Sequence, residues 1–245
     1  MKLTVLGTES PYYTKSRVCP CFLIEEDDQK ILLDCGFGSS RFLNYPQIFD
    51  NLNIIISHLH YDHCADLNAI QYALLCLKKE NKEINVYLPA SPEVDYDFYT
   101  SRLLERTNFH IITKNNTINI GNIKIEFMQT FHLIETYAIK ITSKNKTVVY
   151  TADYNFDTEN KMTEFAKNAD LLISESTLLE NNHASGLEKV HISSFRTGRI
   201  AKNAGVKKLL LTHFSVGDNR QTHLLEAQKS FNNVEVVNEN DVFYI

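Results

Sequence analysis

The chain has 245 residues, 43% of them hydrophobic and 22% charged, and a formal net charge of −5. That length allows one large domain with an ample core, or at most two small ones. The acidic balance argues against an extended nucleic-acid footprint, because neutralising many phosphates needs a basic face.

Five cysteines, odd in number and without a Cys-x-x-Cys pair, read as reduced thiols. No run approaches the roughly 18 apolar residues that span a bilayer, and the apolar start is too short for a secretion signal. The expectation is a cytoplasmic protein without a membrane partner.

Leu3 to Leu6 reads as a buried strand, followed by the turn-rich loop Gly7-Thr8-Glu9-Ser10-Pro11. Cys21 to Ile24 and Lys30 to Asp34 are two strands joined by a polar turn, the second closed by Asp34-Cys35-Gly36. Asn53-Ile54-Ile55-Ile56 is short, β-branched and apolar, so it is a buried strand. Asp66 to Lys79 carries Leu67, Ile70, Leu74 and Leu77 at helical spacing, with Asp66 placed to cap it. Ile84 to Leu88 returns to strand, Pro92 to Arg106 reads as helix, and Phe109 to Thr113 opens a β-rich section. Ile118 to Ile120 and Ile123 to Phe127 flank the hairpin turn Gly121-Asn122.

Further strands are Tyr137 to Thr142, Val148 to Thr151, Leu171 to Ile173, Lys207 to Leu211, Val234 to Val237 and Val242 to Ile245. A helix starts at Ser193 or Ser194 and runs through Lys202, and a last one covers about Gln221 to Lys229. No linker, low-complexity tract or short-period repeat interrupts this order. The expected architecture is α/β (α+β): one domain, residues 1–245, of two β-layers covered by helices.

Chemistry concentrates just after the Asn53 to Ile56 strand, in Ser57-His58-Leu59-His60-Tyr61-Asp62-His63. His58 and His60 alternate onto one side of the loop, whereas the adjacent Asp62 and His63 point in different directions. Imidazole nitrogen and carboxylate oxygen suit Zn²⁺ or a similar divalent ion, and two ligand directions offer the start of two neighbouring metal sites. Other metal-competent residues recur at the same structural place, past the end of a strand: His132, Asp153 and His213. Loops at one edge of a β-scaffold are where residues distant in sequence can converge.

His58-x-His60-x-Asp62-His63, then His132, Thr151-Ala152-Asp153 and Leu211-Thr212-His213-Phe214-Ser215 resemble the metallo-β-lactamase fold superfamily over nearly the whole chain. Ser174-Glu175-Ser176-Thr177 and His191-Ile192-Ser193-Ser194 resemble the paired Glu and His motifs of its ribonuclease Z-like branch. The resemblance implies an αββα sandwich with two divalent ions, Zn²⁺ with Mn²⁺ as the alternative. His58, His60 and His132 would hold one, Asp62, His63 and His213 the other, and Asp153 would bridge them. Two metals roughly 3.5–4 Å apart suit phosphodiester hydrolysis. By the same resemblance Asp62 is catalytic as well as a ligand, and His191 donates to the phosphate or departing oxygen, oriented by Glu175.

Ribonuclease Z proper carries a tRNA-clamping arm between the ligands matching His132 and Asp153, and the 21-residue step here has no room for one. A compact, armless member is similar to the phage anti-Pycsar proteins and their bacterial relatives. This implies a homodimer that opens 3′,5′-cyclic mononucleotides. RNA 3′-end cleavage is the same-chemistry alternative, and a metal-binding module without catalysis is the alternative of another class. Thioester or lactam hydrolysis on the same fold would be marked by a hydrophobic substrate groove.

Overall fold

A computed structural model of the chain describes residues 1–77, 83–101, 106–114, 116–181 and 186–245. It divides into two units, Met1–Thr113 with Asn238–Tyr244, and Lys114–Val237 with Ile245, each built on one seven-stranded sheet.

The first unit orders its strands Val242–Tyr244, Lys2–Gly7, Cys21–Glu26, Gln29–Leu33, Leu52–Ile55, Ile84–Leu88 and Thr107–Ile111. Its first four strands pair antiparallel and the rest parallel. Parallel strands are covered on both faces, and Leu52–Ile55 is buried at every position, with three aliphatic residues and one buried amide, Asn53, whose Oδ1 accepts the Asn85 side-chain N–H at 3.1 Å. Pairing of Leu33 with Ile55 brings the next residues of both strands side by side, so the Asp34 N–H donates to the Ile55 carbonyl at 2.9 Å.

Helix Leu67–Cys76 buries Leu67, Ile70, Gln71 and Leu74, the i, i+3, i+4, i+7 stripe its spacing announces. Asp66 precedes it without capping it. Its carboxylate instead accepts the Ser40 N–H at 2.9 Å, a tertiary partner that outcompetes the local one. Lys78 and Lys79, given to this helix by the sequence, lie outside the described residues. The next helix is Glu93–Thr100, ending at Ser101, and residues 102–105 of its expected extent also lie outside them.

The second unit orders its strands Val234–Val236, Lys208–Thr212, Leu171–Glu175, Lys146–Tyr150, Tyr137–Ser143, Ile123–Gln129 and Thr117–Ile120. Here the first four are parallel and the others antiparallel. Its core includes Val149, Tyr154, Met162, Leu172, Ile192, Ile200, Leu209 and Phe214, and each fully buried side chain of this size stabilises by about 1.5–3 kcal/mol.

Ser193 caps helix Ser194–Ala204 by accepting the Arg196 N–H at 3.3 Å, and Gly205 ends it in the left-handed conformation. Gly198 lets this helix meet helix Arg220–Gln228, since a Cβ there would lie 2.4 Å from the Ala227 carbonyl oxygen. A seven-residue helix, Glu159–Phe165, appears where sequence periodicity marks no element. Among the described residues no helix is long and apolar enough to cross a membrane.

Candidate metal centre

In the first unit the site grows from Asp34, fully buried and held at φ 56° where its strand ends. Its Oδ1 accepts the Ser57 N–H at 2.7 Å. Its Oδ2 accepts the Ser57 hydroxyl at 2.8 Å and His63 Nδ1 at 2.7 Å. Having given its one proton to Asp34, the Ser57 hydroxyl accepts from His58 Nδ1 at 3.0 Å. This network assigns the tautomers: both His58 and His63 carry no proton on Nε2.

His58 Nε2 faces His60 Nδ1 at 3.2 Å, and His63 Nε2 lies 3.8 Å from Asp62 Oδ2, which accepts the Ser10 hydroxyl at 3.0 Å. Asp62 and His63 stand on the single helical turn Tyr61–Cys64, not in the open loop the sequence suggests. That turn sits hard against Gly36, where a Cβ would lie 1.7 Å from the Asp62 carbonyl oxygen.

In the second unit, His132 follows strand Ile123–Gln129, Asp153 follows Lys146–Tyr150 and His213 follows Lys208–Thr212, as the sequence places them. Ala152 and His213 adopt φ 52° and 59°, sharp bends that turn the chain out of its strand. His132 Nδ1 donates to the Val190 carbonyl at 3.0 Å. Burial, opposed in part by Asp153, pushes the His132 imidazolium below its ordinary range and favours the neutral ring.

The Thr177 hydroxyl donates to Glu175 Oε2 at 2.7 Å and accepts from His213 Nδ1 at 2.8 Å. His132 and His213 therefore also carry no proton on Nε2, and these atoms lie 3.7 and 3.3 Å from the two carboxylate oxygens of Asp153. Lone pairs aimed at a carboxylate repel unless a cation lies among them, so the donor chemistry fits a divalent metal.

Beside this set, His191 Nδ1 lies 3.0 Å from Glu175 Oε2 and 3.9 Å from Asp153 Oδ2. Ligand atoms of Asp153, His191 and His213 fall within 4.8 Å of one another. Glu175 is 1% exposed, and its Oε1 accepts the Tyr154 N–H at 2.6 Å. One carboxylate thus holds His191 directly and His213 through Thr177. A hydrogen bond from imidazole to a carboxylate favours the imidazolium, the form that can donate.

Asp34, Ser57 and Thr177, which fix the tautomers, escape a reading confined to ligand residues. The available signals were an Asp at the end of a buried strand and a hydroxyl residue next to, or two residues beyond, a site residue. A further row, Ser194 Oγ to His223 Nδ1 at 2.7 Å and His223 Nε2 to Asp218 at 3.3 Å, resembles a nucleophile triad. Ser194 is fully buried, so the row ties two helices together and admits no substrate.

A fold of two sheets with helices, carrying histidines and aspartates at its strand ends, defines a metal-dependent hydrolase. A model described as the Beta-lactamase superfamily domain matches residues 29–214, and the chain belongs to this superfamily. It is 32% identical to a probable metallo-hydrolase, YhfI, of Bacillus subtilis over 95% of this chain and 94% of that protein. It superposes on the crystal structure of YhfI with a TM-score of 0.90, at 29% identity and 99% coverage of both chains.

Ribonuclease Z of Chlamydia trachomatis serovar L2 is 27% identical over 97% of this chain and 95% of that one. That alignment spans 293 positions against the 245 residues here, so at least 48 of its positions have no counterpart in this chain. Human tRNase Z, short form, shares the fold with a TM-score of 0.75 at 22% identity, over 100% of this chain and 99% of that one.

Proposed function

We propose that this chain is a two-metal phosphodiesterase that opens 3′,5′-cyclic mononucleotides to linear nucleoside monophosphates, and so removes cyclic-nucleotide antiphage signals. The observation that carries the small-substrate reading is the segment from His132 to Asp153. It is a tight antiparallel pair, Tyr137–Ser143 and Lys146–Tyr150, with nothing inserted that could clamp a folded RNA. The acidic net charge points the same way.

The ligand division follows the superfamily resemblance: His58, His60 and His132 for one ion, Asp62, His63 and His213 for the other, and Asp153 for both. Zinc is the proposed metal, with manganese as its substitute, residues 1–245 act as one hydrolase domain, and the working form is a cytoplasmic homodimer. Divalent ions bound there supply water activation near neutral pH and positive charge toward the phosphoryl group.

The chain's own residues do the rest. His191, held by Glu175, donates to the phosphate or to the departing ribose oxygen, and the departing oxygen leaves with that proton. Glu175 keeps the imidazolium oriented, and Asp62 is the carboxylate that takes a proton from the attacking water. Asp34, Ser57 and Thr177 keep the ligating rings in the tautomer that exposes Nε2.

The 27% identity to ribonuclease Z favours RNA 3′-end cleavage as the second reading. Both are decided by incubating zinc- or manganese-loaded protein with cyclic CMP, UMP, AMP and GMP and with a 3′-extended tRNA precursor, followed by chromatography. Linear monophosphates with intact tRNA support the proposal. Cleaved tRNA with intact cyclic nucleotides overturns it.

A further inference from the structure

A cavity of about 160 Å³ opens beside His191 in the second unit, and Phe156, Leu178, Ile192, Glu188 and Arg196 are among the residues of its wall. The volume decides what it can take. Drug-sized ligands occupy pockets of about 300–1,000 Å³, whereas an apolar cavity of ~150 Å³ holds a single benzene ring. The cavity is open on one side, so a one-ring group fits within it while the rest of a nucleotide extends past its mouth.

The wall chemistry matches a planar polar heterocycle. Phe156 leaves 49% of its surface open, an aromatic face available for stacking. The Arg196 guanidinium lies 5.8 Å from the Phe156 ring centroid, and two carboxylates fix it, Glu180 at 3.2 Å from Nε and Glu159 at 3.4 Å. It is thus a rigid plane of the kind that stacks on bases. Leu178 and Ile192 are 7% and 1% exposed and form an apolar floor. Glu188 Oε2 is buried without a hydrogen-bond partner among the described residues, an acceptor in the cavity wall.

We propose that this cavity is the base subsite of the enzyme: it seats a single-ring nucleobase against Phe156, with Glu188 accepting from a ring amino group, so that a cytosine-type base is preferred. This rests on the nucleotide reading above and adds the recognised group to it. The carboxylate sets the direction of choice, since Glu accepts from the N4 amino group of cytosine, whereas uracil carries a carbonyl oxygen at that position. The second ring of a purine projects beyond the enclosed volume toward solvent. His191 borders the cavity, so a base seated there places its own ribose and phosphate toward the donor.

The test is equilibrium binding of cytidine, uridine and adenosine, followed by ligand-observed NMR, to metal-loaded wild type, Phe156→Ala and Glu188→Ala. The KM for cyclic CMP is measured alongside. Both substituted residues are only partly buried, and unchanged thermal melting checks that the variants fold. Wild type should bind cytidine most tightly. Phe156→Ala should weaken cytidine about 5- to 160-fold, the range for loss of one stacked base. Glu188→Ala should abolish the preference of cytidine over uridine.

Cytidine binding unmoved in both variants, or adenosine bound as tightly as cytidine, overturns the subsite. Cytidine binding that responds as expected while no cyclic nucleotide is opened upholds the subsite and refutes the cyclic-nucleotide activity. Cyclic CMP opened with KM unchanged in both variants does the reverse.

Discussion

Substituting Asp34 by Asn keeps the shape of a fully buried side chain and changes only its hydrogen-bond direction. The remaining oxygen can still accept the Ser57 N–H at the position now 2.7 Å away. The new amide nitrogen then faces the Ser57 hydroxyl at 2.8 Å and His63 Nδ1 at 2.7 Å, where a carboxylate oxygen accepted before. His63 must shift its proton to Nε2, and the Ser57 hydroxyl turns to donate to His58 Nδ1, which moves that proton to Nε2 as well. Two rings that offered lone pairs would offer N–H groups.

Loss of such an outer partner weakens metal binding by about 10- to 100-fold, which is about 1.4–2.7 kcal/mol. Exchanging two charge-assisted hydrogen bonds for weaker ones should lower metal-free stability by about 2–4 kcal/mol. Chelator competition for zinc and thermal unfolding with and without metal measure both quantities, and ¹⁵N NMR of the imidazoles reads the tautomers directly. Zinc affinity within twofold of wild type, or retained Nδ1–H signals from His58 and His63, would refute this account of Asp34.

His191→Ala should reduce turnover by about 10²–10⁴-fold, the range for loss of a general acid, with metal content by atomic absorption near wild type; metal loss would make His191 a ligand instead. Asp62→Ala should abolish turnover and loosen one of two bound metals, and full activity would contradict its assignment. Gly198→Ala should destabilise by about 1–3 kcal/mol through its contact with the Ala227 carbonyl, read as a lowered Tm.

Burial raises the Asp170 carboxyl, but the Lys207 ammonium at 2.8 Å, the Thr147 N–H and Lys146 outweigh it and hold the group below the usual carboxylate range. Its stabilisation is therefore present above the unfolded pKa of about 3.9 and is lost as pH falls through the lower folded value. Asp170→Asn should flatten the decline of denaturant midpoint between about pH 5 and pH 3, and an unchanged slope would sink the assignment.

The proposed ligand residues stand out in the sequence because imidazole and carboxylate placed past strand ends carry their chemistry on their face. Strands such as Leu52–Ile55 and Ile84–Leu88 were legible because their buried positions are mostly aliphatic, Ile84, Val86 and Leu88 alternating with half-buried residues in the second. Helix Glu159–Phe165 was not, since only Met162 of its seven residues is buried and one apolar position makes no period. Asp66 had the right residue type for a cap, but its partner, the Ser40 N–H, is 26 residues away in sequence. Thr177 illustrates the general limit: its hydroxyl matters because the parallel register sets Glu175 beside Thr212, and no local pattern encodes that.

The left-handed backbone at Asp34, Ala152 and His213 bears on how this sequence can drift. Each such residue costs roughly 1–2 kcal/mol relative to glycine or an ordinary bend. At Ala152, next to the proposed ligand Asp153, glycine would relieve that strain, whereas a β-branched residue would add to it. At Asp34 and His213 relief is barred, because the side chain itself is needed. Mutation at the first position can therefore be compensatory, offsetting destabilising changes elsewhere in the chain, while the other two are fixed burdens that any descendant with a working metal centre inherits.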